Sequence, residues 1–430
     1  MRSPKRPKNA SDKSRAEWFP YYAGYSAAFV EDALSAMHLP PKAAILDPWL
    51  GAGTTTAVAI AKGLRVLGYD LNPAMLVVAR ARTLGCDSGE EVLALHEEVC
   101  RQYKRHDHDL VALKPGEDGL GQWLTPTSAL HFRTLERLVA STVGGGRRLS
   151  WRQVEQSPPP TATLYVALFR SLRTLIRQFR ASNPAWTLIP GDANRIQARK
   201  ASIAQVFRQE VHALTHGIQD GGVHRIRDRG RCSIRRASSL RLPLPSKSVD
   251  AVLSSPPYCT RLDYVRATLP ELAVLGCPNG SWMRRLREQM IGTPTISSGA
   301  LSPSRNWGPE CARFLHQVRS HSSKASATYY HRHFCQYFDS IGRSLGEIDR
   351  VLKPGGSCIL VVQDSHYKEV QIDLPRIFDQ MGSRLGWRLI QRVDFPVTRS
   401  MRSINAASRK YSRRTVATEA VLRFSKPRRN

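Results

Sequence analysis

The chain has 430 residues, 41% of them hydrophobic and 23% charged. That balance can fill one large core or two smaller ones, and it excludes a fibrous or intrinsically disordered protein. Lys and Arg number 64 against 35 Asp and Glu, a formal net charge of +29, far beyond what solubility requires and suited to a polyanionic partner, nucleic acid first.

The basic start (Arg2, Lys5, Arg6, Lys8) leads into no apolar signal-peptide core, and no stretch of about 18 apolar residues occurs. A soluble, cytoplasmic, nucleoid-associated protein without a membrane partner is expected. The cysteines are scattered without C-x-x-C spacing and read as reduced thiols.

From 43 to 84 the pattern reads strand, turn, helix, strand, helix. The first strand is 43–46, the turn is Asp47-Pro48-Trp49-Leu50-Gly51-Ala52-Gly53, and an Ala-rich helix over 54–62 ends at Gly63. A second strand over 64–69 closes on Asp70, and Asn72-Pro73 supplies cap and first turn for the next helix. The stretch 87–234 is less regular, with loops expected at 114–121, 144–146 and 157–160. Its clearest element is a helix over 164–180, with Leu168, Leu172, Leu175, Ile176 and Phe179 on one face and Arg170, Arg173, Arg177 and Arg180 on another. Alternation resumes with a strand over 249–253 that runs into Ser254-Ser255-Pro256-Pro257-Tyr258. A smaller irregular insertion is expected at about 276–328. A helix over 329–352, a Lys-Pro-Gly-Gly turn at 353–356, a strand over 357–362, a helix over 372–385 and strands over 387–392 and 419–424 complete the chain. The order predicts an α/β, doubly wound, mostly parallel sheet whose ligand crevice lies at the carboxyl ends of the strands.

The Gly51-x-Gly53 turn allows close backbone approach and aims a helix N-terminus at a ligand. Asp70, 23 residues after Asp47, sits where nucleotide-binding α/β folds place the acid for a ribose diol. The G-x-G-x-x-G of a dinucleotide site is absent, and Thr54-Thr55-Thr56 suits an amino-acid carboxylate better than a pyrophosphate. A purely structural βα turn is the alternative.

The segment from Asp47 to Thr55 resembles the S-adenosylmethionine motif of DNA amino-methyltransferases, and Ser255-Pro256-Pro257-Tyr258 resembles their catalytic tetrapeptide. The lead-in Leu242-Pro243-Leu244-Pro245-Ser246-Lys247-Ser248-Val249-Asp250 is also similar. An exocyclic amino nitrogen is a poor nucleophile because its lone pair is delocalised into the ring. Acceptors at the Ser255 side chain and the Pro256 carbonyl would let it pyramidalise, while Tyr258 stacks on a base turned out of the duplex. The resemblance covers about 18–84 and 235–424, and it implies a seven-stranded sheet with an inserted, largely helical region. It also implies S-adenosyl-L-methionine held by Asp47, Pro48, Trp49, Gly51, Gly53, Thr54, Thr55, Asp70, Leu71 and Asn72. Tyr25 and Ser26, in a segment (19–26) similar to the family's N-terminal cofactor motif, are expected near the methionine end, with core packing an equal alternative for the tyrosine. Where the family often has an acid for the cofactor's adenine, this chain has Ser238; Asp192 is the upstream alternative.

A serine at the first tetrapeptide position resembles the N(4)-cytosine enzymes, whereas Asp or Asn there resembles N(6)-adenine enzymes. Carbon-5 methylation needs a Pro-Cys nucleophile, which is absent. The expected function is therefore site-specific DNA cytosine-N(4) methylation, in restriction-modification or phage defence. N(6)-adenine methylation, an RNA guanine amino-methyltransferase and a DNA-binding protein with a degenerate core are the rivals. Residues 1–86 and 235–430 are expected to form the catalytic domain and 87–234 a target-recognition region. Double-stranded DNA with a flipped base is the expected partner, with a restriction or defence partner possible. Candidate DNA contacts are the stripe Arg170, Arg173, Arg177 and Arg180 and the run Arg225, Arg227, Arg229 and Arg231, with a further basic run at 399–414. His106-Asp107-His108-Asp109 and His331-Arg332-His333 read as polar surface, with no metal expected.

Overall fold

In the computed structural model, described residues are 1–5, 19, 24–85, 88–105, 118–143, 151–181, 186–219, 232–260, 262–296, 302–397 and 417–428. Ser26 caps the first helix, α1 (Ala27–Ala36), its Oγ accepting from Phe29 N. Strand β1 (Ala44–Asp47), helix α2 (Thr54–Ala61), strand β2 (Arg65–Asp70) and helix α3 (Pro73–Ala81) follow as expected. Gly63 adopts φ +72° after α2, and the Asn72 side chain accepts from Ala74 N at the head of α3. Four long helices come next: α4 (Gly89–Arg105), α5 (Pro126–Val143), α6 (Pro159–Leu175) and α7 (Lys200–Gln219). Strands β3 (Cys232–Arg236) and β4 (Val249–Ser254) then lead to α8 (Tyr264–Ala267), α9 (Leu269–Val274), α10 (Ser281–Gln289), α11 (Pro309–Ser320) and α12 (His331–Val351). The chain closes with β5 (Leu352–Gln363), the hairpin β6 (Ser365–Tyr367) and β7 (Val370–Ile372), α13 (Leu374–Arg384), β8 (Arg388–Val397) and β9 (Ala417–Ser425).

Seven strands form one sheet in the order β3-β2-β1-β4-β5-β9-β8. The first five run parallel, and β9 is antiparallel to both of its neighbours. The order reverses between β1 and β4, so their carboxyl ends splay a crevice of the kind that holds ligands in doubly wound sheets. Side-chain alternation in β5 shows how the layers are separated. Cys358, Leu360 and Val362 face the core shared with α11, α12 and α13, while Ile359 and Val361 face the core under α1 and α2. A third core joins α3 to α4 through α7 and to the segment 265–286.

Several expectations needed correction. Residues 157–160 are not a loop throughout: Pro159 and Pro160 occupy the first turn of α6, where the missing N–H costs nothing. Helix α6 is not amphipathic along its length, since every residue from Pro160 to Phe169 is buried. The expected turn at 353–356 is a bulge within β5: Val249 pairs with Leu352 and Ala251 with Ser357, leaving the intervening residues looped out. The stretch 276–328 carries ordered helix, and Cys311, Phe314, Leu315 and Val318 give α11 a buried stripe at helical spacing. His333 is buried and stacked parallel to Tyr329, not surface. Residues 106–109 lie outside the described set. The described cysteines are free. Among the described residues no helix is long and apolar enough to cross a membrane.

The helical layer is fastened by a buried guanidinium. Arg133 on α5 donates to both Asp118 oxygens at 2.9 Å, to Glu136 at 3.0 Å, and to the carbonyls of Ala273 and Val274 at 2.8 and 2.7 Å at the end of α9. Tyr165 of α6 donates to the other Glu136 oxygen at 2.8 Å. Arg133→Met would leave the Glu136 carboxylate buried without its cation, at a cost of about 3–5 kcal/mol. Denaturant unfolding should show this as a lower midpoint at unchanged slope.

Candidate active site

The crevice is built on a contact between strand ends. Asp47 ends β1 and Ser254 ends β4, and the Ser254 Oγ donates to Asp47 Oδ1 at 2.5 Å. Asp47 is 2% exposed. Thr55, also fully buried, donates to the same carboxylate, and its Oγ1 shares a very short hydrogen bond with the Tyr25 hydroxyl. Burial raises the Asp47 pKa to about 6, against the opposing pull of Ser254, Thr55 and the Trp49 amide, and the nearby Asp70 charge adds to the rise.

From Asp47 the chain turns through Gly51 (φ +49°) and Gly53 (φ +75°) into α2. Gly51 N donates to Asp70 Oδ2 at 2.9 Å, and Asn72 N to Asp70 Oδ1 at 2.8 Å. The Leu71 amide donates to the same carboxylate, so backbone holds three of its about four acceptor sites and the remaining capacity can take a ribose hydroxyl. Gly53 has a packing reason to be glycine: a Cβ there would lie 2.6 Å from Ala79 Cβ and 2.9 Å from Ala79 Cα. Gly53→Ala combines that overlap with left-handed backbone, and a loss of about 2–4 kcal/mol is expected, measurable as a fall in Tm of the protein without added ligand.

A cavity of about 460 Å³ opens over this turn, within the range of small-molecule sites. Its floor includes Pro48, Trp49, Gly51, Thr54, Asp70, Leu71, Asn72 and Ser238 from the proposed cofactor set, and Tyr25 contributes a wall. Asp47, Gly53 and Thr55 lie beneath the lining, and Ser26 serves as the α1 cap. Thr54 Oγ1 accepts from Arg82 at 3.0 Å. Trp49 Nε1 is buried without a hydrogen-bond partner among the described residues. Ser238 lines the cavity and accepts from Leu240 N at 3.2 Å, whereas Asp192 is 87% exposed and paired with Arg195.

Ser255, Pro256 and Pro257 of the tetrapeptide line the same cavity; Tyr258 does not. The Ser255 hydroxyl donates to Val361 O of β5 at 3.0 Å, and the Pro257 carbonyl accepts from the Tyr337 hydroxyl at 3.0 Å. Tyr258 N donates to the Tyr264 hydroxyl at 3.3 Å. Burial raises the Tyr264 pKa to about 12 and the Tyr25 pKa well above the ordinary range, so neither phenol ionises near neutrality.

The arginine stripe divides. Arg170 pairs with Glu210 of α7 at 2.6 Å. Arg173 pairs with the buried Glu271 of α9 and donates to Ala267 O at 2.7 Å, while lining the cavity. Arg177 and Arg180 are exposed, and Arg180 also reaches the cavity. Arg225, Arg227, Arg229, Arg231 and the run at 399–414 lie outside the described residues.

Several site residues carry no signal in the sequence. Trp186 and Thr187, from the region between β2 and β3, line the cavity, and the Arg266 guanidinium lies 4.2 Å from the Trp186 ring centroid. Glu419 of β9 is 4% exposed and hydrogen-bonded by the Tyr258 side chain, with its pKa raised by burial. These positions are joined to the motifs only by tertiary folding, and no local spacing betrays them.

No family model matches the chain. The Type II methyltransferase M.BsoBI of Geobacillus stearothermophilus is 22% identical over 321 residues, covering 69% of this chain and 59% of that protein. The chain thus spans less than two thirds of the length of M.BsoBI. The Type II methyltransferase M.AvaI of Nostoc sp. is 22% identical over 418 residues, covering 88% of this chain and 80% of that one. Among solved structures, the rRNA methyltransferase aviRa from Streptomyces viridochromogenes superposes with a TM-score of 0.30 at 11% identity, over 98% of this chain and 95% of its own. So loose a superposition adds nothing to the strand order described above.

The buried Asp47 makes stability depend on pH. Its folded pKa of about 6 lies above the ordinary carboxylate value, so the folded state binds the proton more tightly than the unfolded chain. The associated stability is fully present below about pH 4 and is lost as pH rises through about 6, a span on the order of 3 kcal/mol. Asp47→Asn keeps an acceptor for Ser254 and removes the titration. The difference in unfolding free energy between variant and parent should shift in favour of the variant from pH 4 to pH 7; a constant difference contradicts the assignment.

Proposed function

We propose that this chain is a DNA amino-methyltransferase using S-adenosyl-L-methionine, with the N(4) amino group of cytosine as target and N(6) of adenine as the second reading. The observation that carries the reading is the state of Ser255. Its only hydroxyl hydrogen is committed to Val361 O, which leaves the oxygen as a fixed acceptor at the cavity wall beside the Pro256 carbonyl.

The cavity suits the cofactor. Its volume is ample, Asp70 stands beside Leu71 and Asn72 in the lining, and Trp49 Nε1 is a donor with no hydrogen-bond partner among the described residues. Pro48, Trp49, Gly51 and Thr54 would hold the amino-acid end, Asp70 the ribose, and Leu71, Asn72 and Ser238 the adenine side. When bound, S-adenosyl-L-methionine supplies an electrophilic methyl on a sulfonium sulfur.

The chain's own residues then have one chemical task. Ser255 Oγ and Pro256 O accept the two N–H bonds of the target amino group, drawing it out of conjugation so that its lone pair points away from the ring plane. As the new N–C bond formed, the methyl's bond to sulfur would break to leave a neutral thioether, and the cationic nitrogen would return to neutrality by releasing one N–H proton to solvent. Rigid prolines and the Tyr337 bond to Pro257 O hold the carbonyl in register. Tyr258 is proposed to contact the base face, and 87–234 to form the recognition region that, with the exposed arginines, meets the duplex. The serine in first place supports cytosine over adenine, and a role in restriction-modification or defence accords with the Type II relatives.

Purified protein, unmodified genomic DNA and labelled S-adenosylmethionine, followed by nucleoside digestion and mass spectrometry, test the reading. N(4)-methylcytosine is expected; N(6)-methyladenine keeps the mechanism and overturns the base assignment; absence of any methylated base overturns DNA as substrate. Ser255→Ala should lower the rate by roughly 10²-fold or more, and Tyr258→Ala should lose turnover while calorimetric binding of the cofactor persists.

A further inference from the structure

Immediately after the cavity-lining Trp186 and Thr187, Leu188 and Ile189 turn outward, 48% and 55% exposed. Among the described residues, the other exposed large hydrophobic side chains are Ile390 and, to a lesser degree, Met1. The adjacent pair is held in place. Leu188 N donates to Phe179 O at 2.7 Å, Leu188 O accepts from Trp123 Nε1 at 2.9 Å, and Trp123 is itself fully buried. Arg180 and Thr187 form an antiparallel bridge beneath. A rigid backbone thus presents two branched apolar side chains to water at the rim of a cavity. Apolar surface so fixed gains free energy when something covers it.

The surroundings favour a polyanion as the cover. Arg177 and Arg180 are exposed on the preceding turn, Arg199 is exposed on the following segment, and Asp192 is neutralised by Arg195. Isolated apolar residues on a segment bridged to an exposed arginine turn fit a duplex, whose phosphates meet the cations while its base stack accepts an apolar insertion. A protein surface would need a broader apolar patch than two residues offer.

We propose that Leu188 and Ile189 are a wedge that enters the base stack and fills the space left when the target base turns into the cavity, with Arg177 and Arg180 holding flanking phosphates. The proposal rests on the DNA-methyltransferase reading above. Unstacking costs a few kcal/mol per step, which inserted side chains offset, and the adjacency of Thr187 to Leu188 places the vacated space next to the entrance.

The test uses the full chain with Leu188→Ser/Ile189→Ser together, and Ile390→Ser as an exposed apolar control away from the cavity. Initial methylation rates on duplex genomic DNA are measured beside calorimetric binding of S-adenosylmethionine. In parallel, benzoylphenylalanine at 188 or at 390 is photolysed with the same DNA. The double variant should lose roughly 10-fold or more in rate at unchanged cofactor affinity, the control should match wild type, and only position 188 should cross-link to DNA. A double variant with the wild-type rate, or no cross-link from 188 in a protein that methylates duplex DNA, overturns the wedge and leaves the enzyme reading intact. A wild-type protein that methylates no duplex DNA overturns both.

Discussion

The 2.5 Å hydrogen bond from Ser254 to Asp47 joins two strand ends 207 residues apart in the chain. Everything functional in the molecule departs from that point. The glycine turn leaves β1 on one side of it and the Ser-Pro-Pro-Tyr segment leaves β4 on the other, so the two motifs occupy one cavity only because β1 and β4 are neighbours in register, Ile45 beside Ala251 and Leu46 beside Val252. The carboxylate is kept from water by Thr55 and Tyr25. Its raised pKa is the electrostatic cost of fixing the geometry there.

Much of the sheet was legible because its boundaries are written in residues with local conformational meaning. Gly63 and Asn72-Pro73 each stand at a helix end as expected, and the apolar runs read as strands became β1, β2, β4 and β5. The helices between β2 and β3 were largely hidden for a physical reason. Their apolar stripes are interrupted by polar residues that burial satisfies elsewhere, such as His96 on α4 and Arg133 and Glu136 on α5, and a stripe with a charge inside it does not read as a core face. Helix α6 was legible only in its C-terminal half, where Arg170 and Arg173 break the apolar run; from Pro160 to Phe169 it is buried throughout and has no polar face to give it a period. The site was legible where it is local, in Asp47 to Thr55 and Ser255 to Tyr258, and opaque where it depends on which distant residues fold onto it, as with Trp186, Tyr264, Val361 and Glu419.

The arginine stripe shows how composition can mislead about a surface. A basic face on a helix suggests a solvated track for phosphates, yet Arg170 and Arg173 are used inside the protein, one on Glu210 and the other on Glu271. The second pair joins α6 to α9, the second helix after the tetrapeptide. Removing either partner would strand a charge in the interior, so those positions answer to the fold first. The exposed Arg177 and Arg180 lie beyond the last turn of α6, where the helix has left the core.

The strand order also bears on how the protein behaves in concentrated solution. Among the described residues the seven-stranded sheet ends in two edge strands, and an unpaired edge invites the edge of another molecule. Here one edge is β3, only five residues long and carrying Arg235 and Arg236. The other is β8, where Arg388, Arg392, Asp394 and Pro396 are exposed along the strand. Charges at both ends and a proline that cannot donate to a ladder make each edge a poor template, so the exposed Ile390 on β8 sits in a setting hostile to strand addition. The charge that makes the chain strongly basic thereby also works against edge-to-edge aggregation of the sheet.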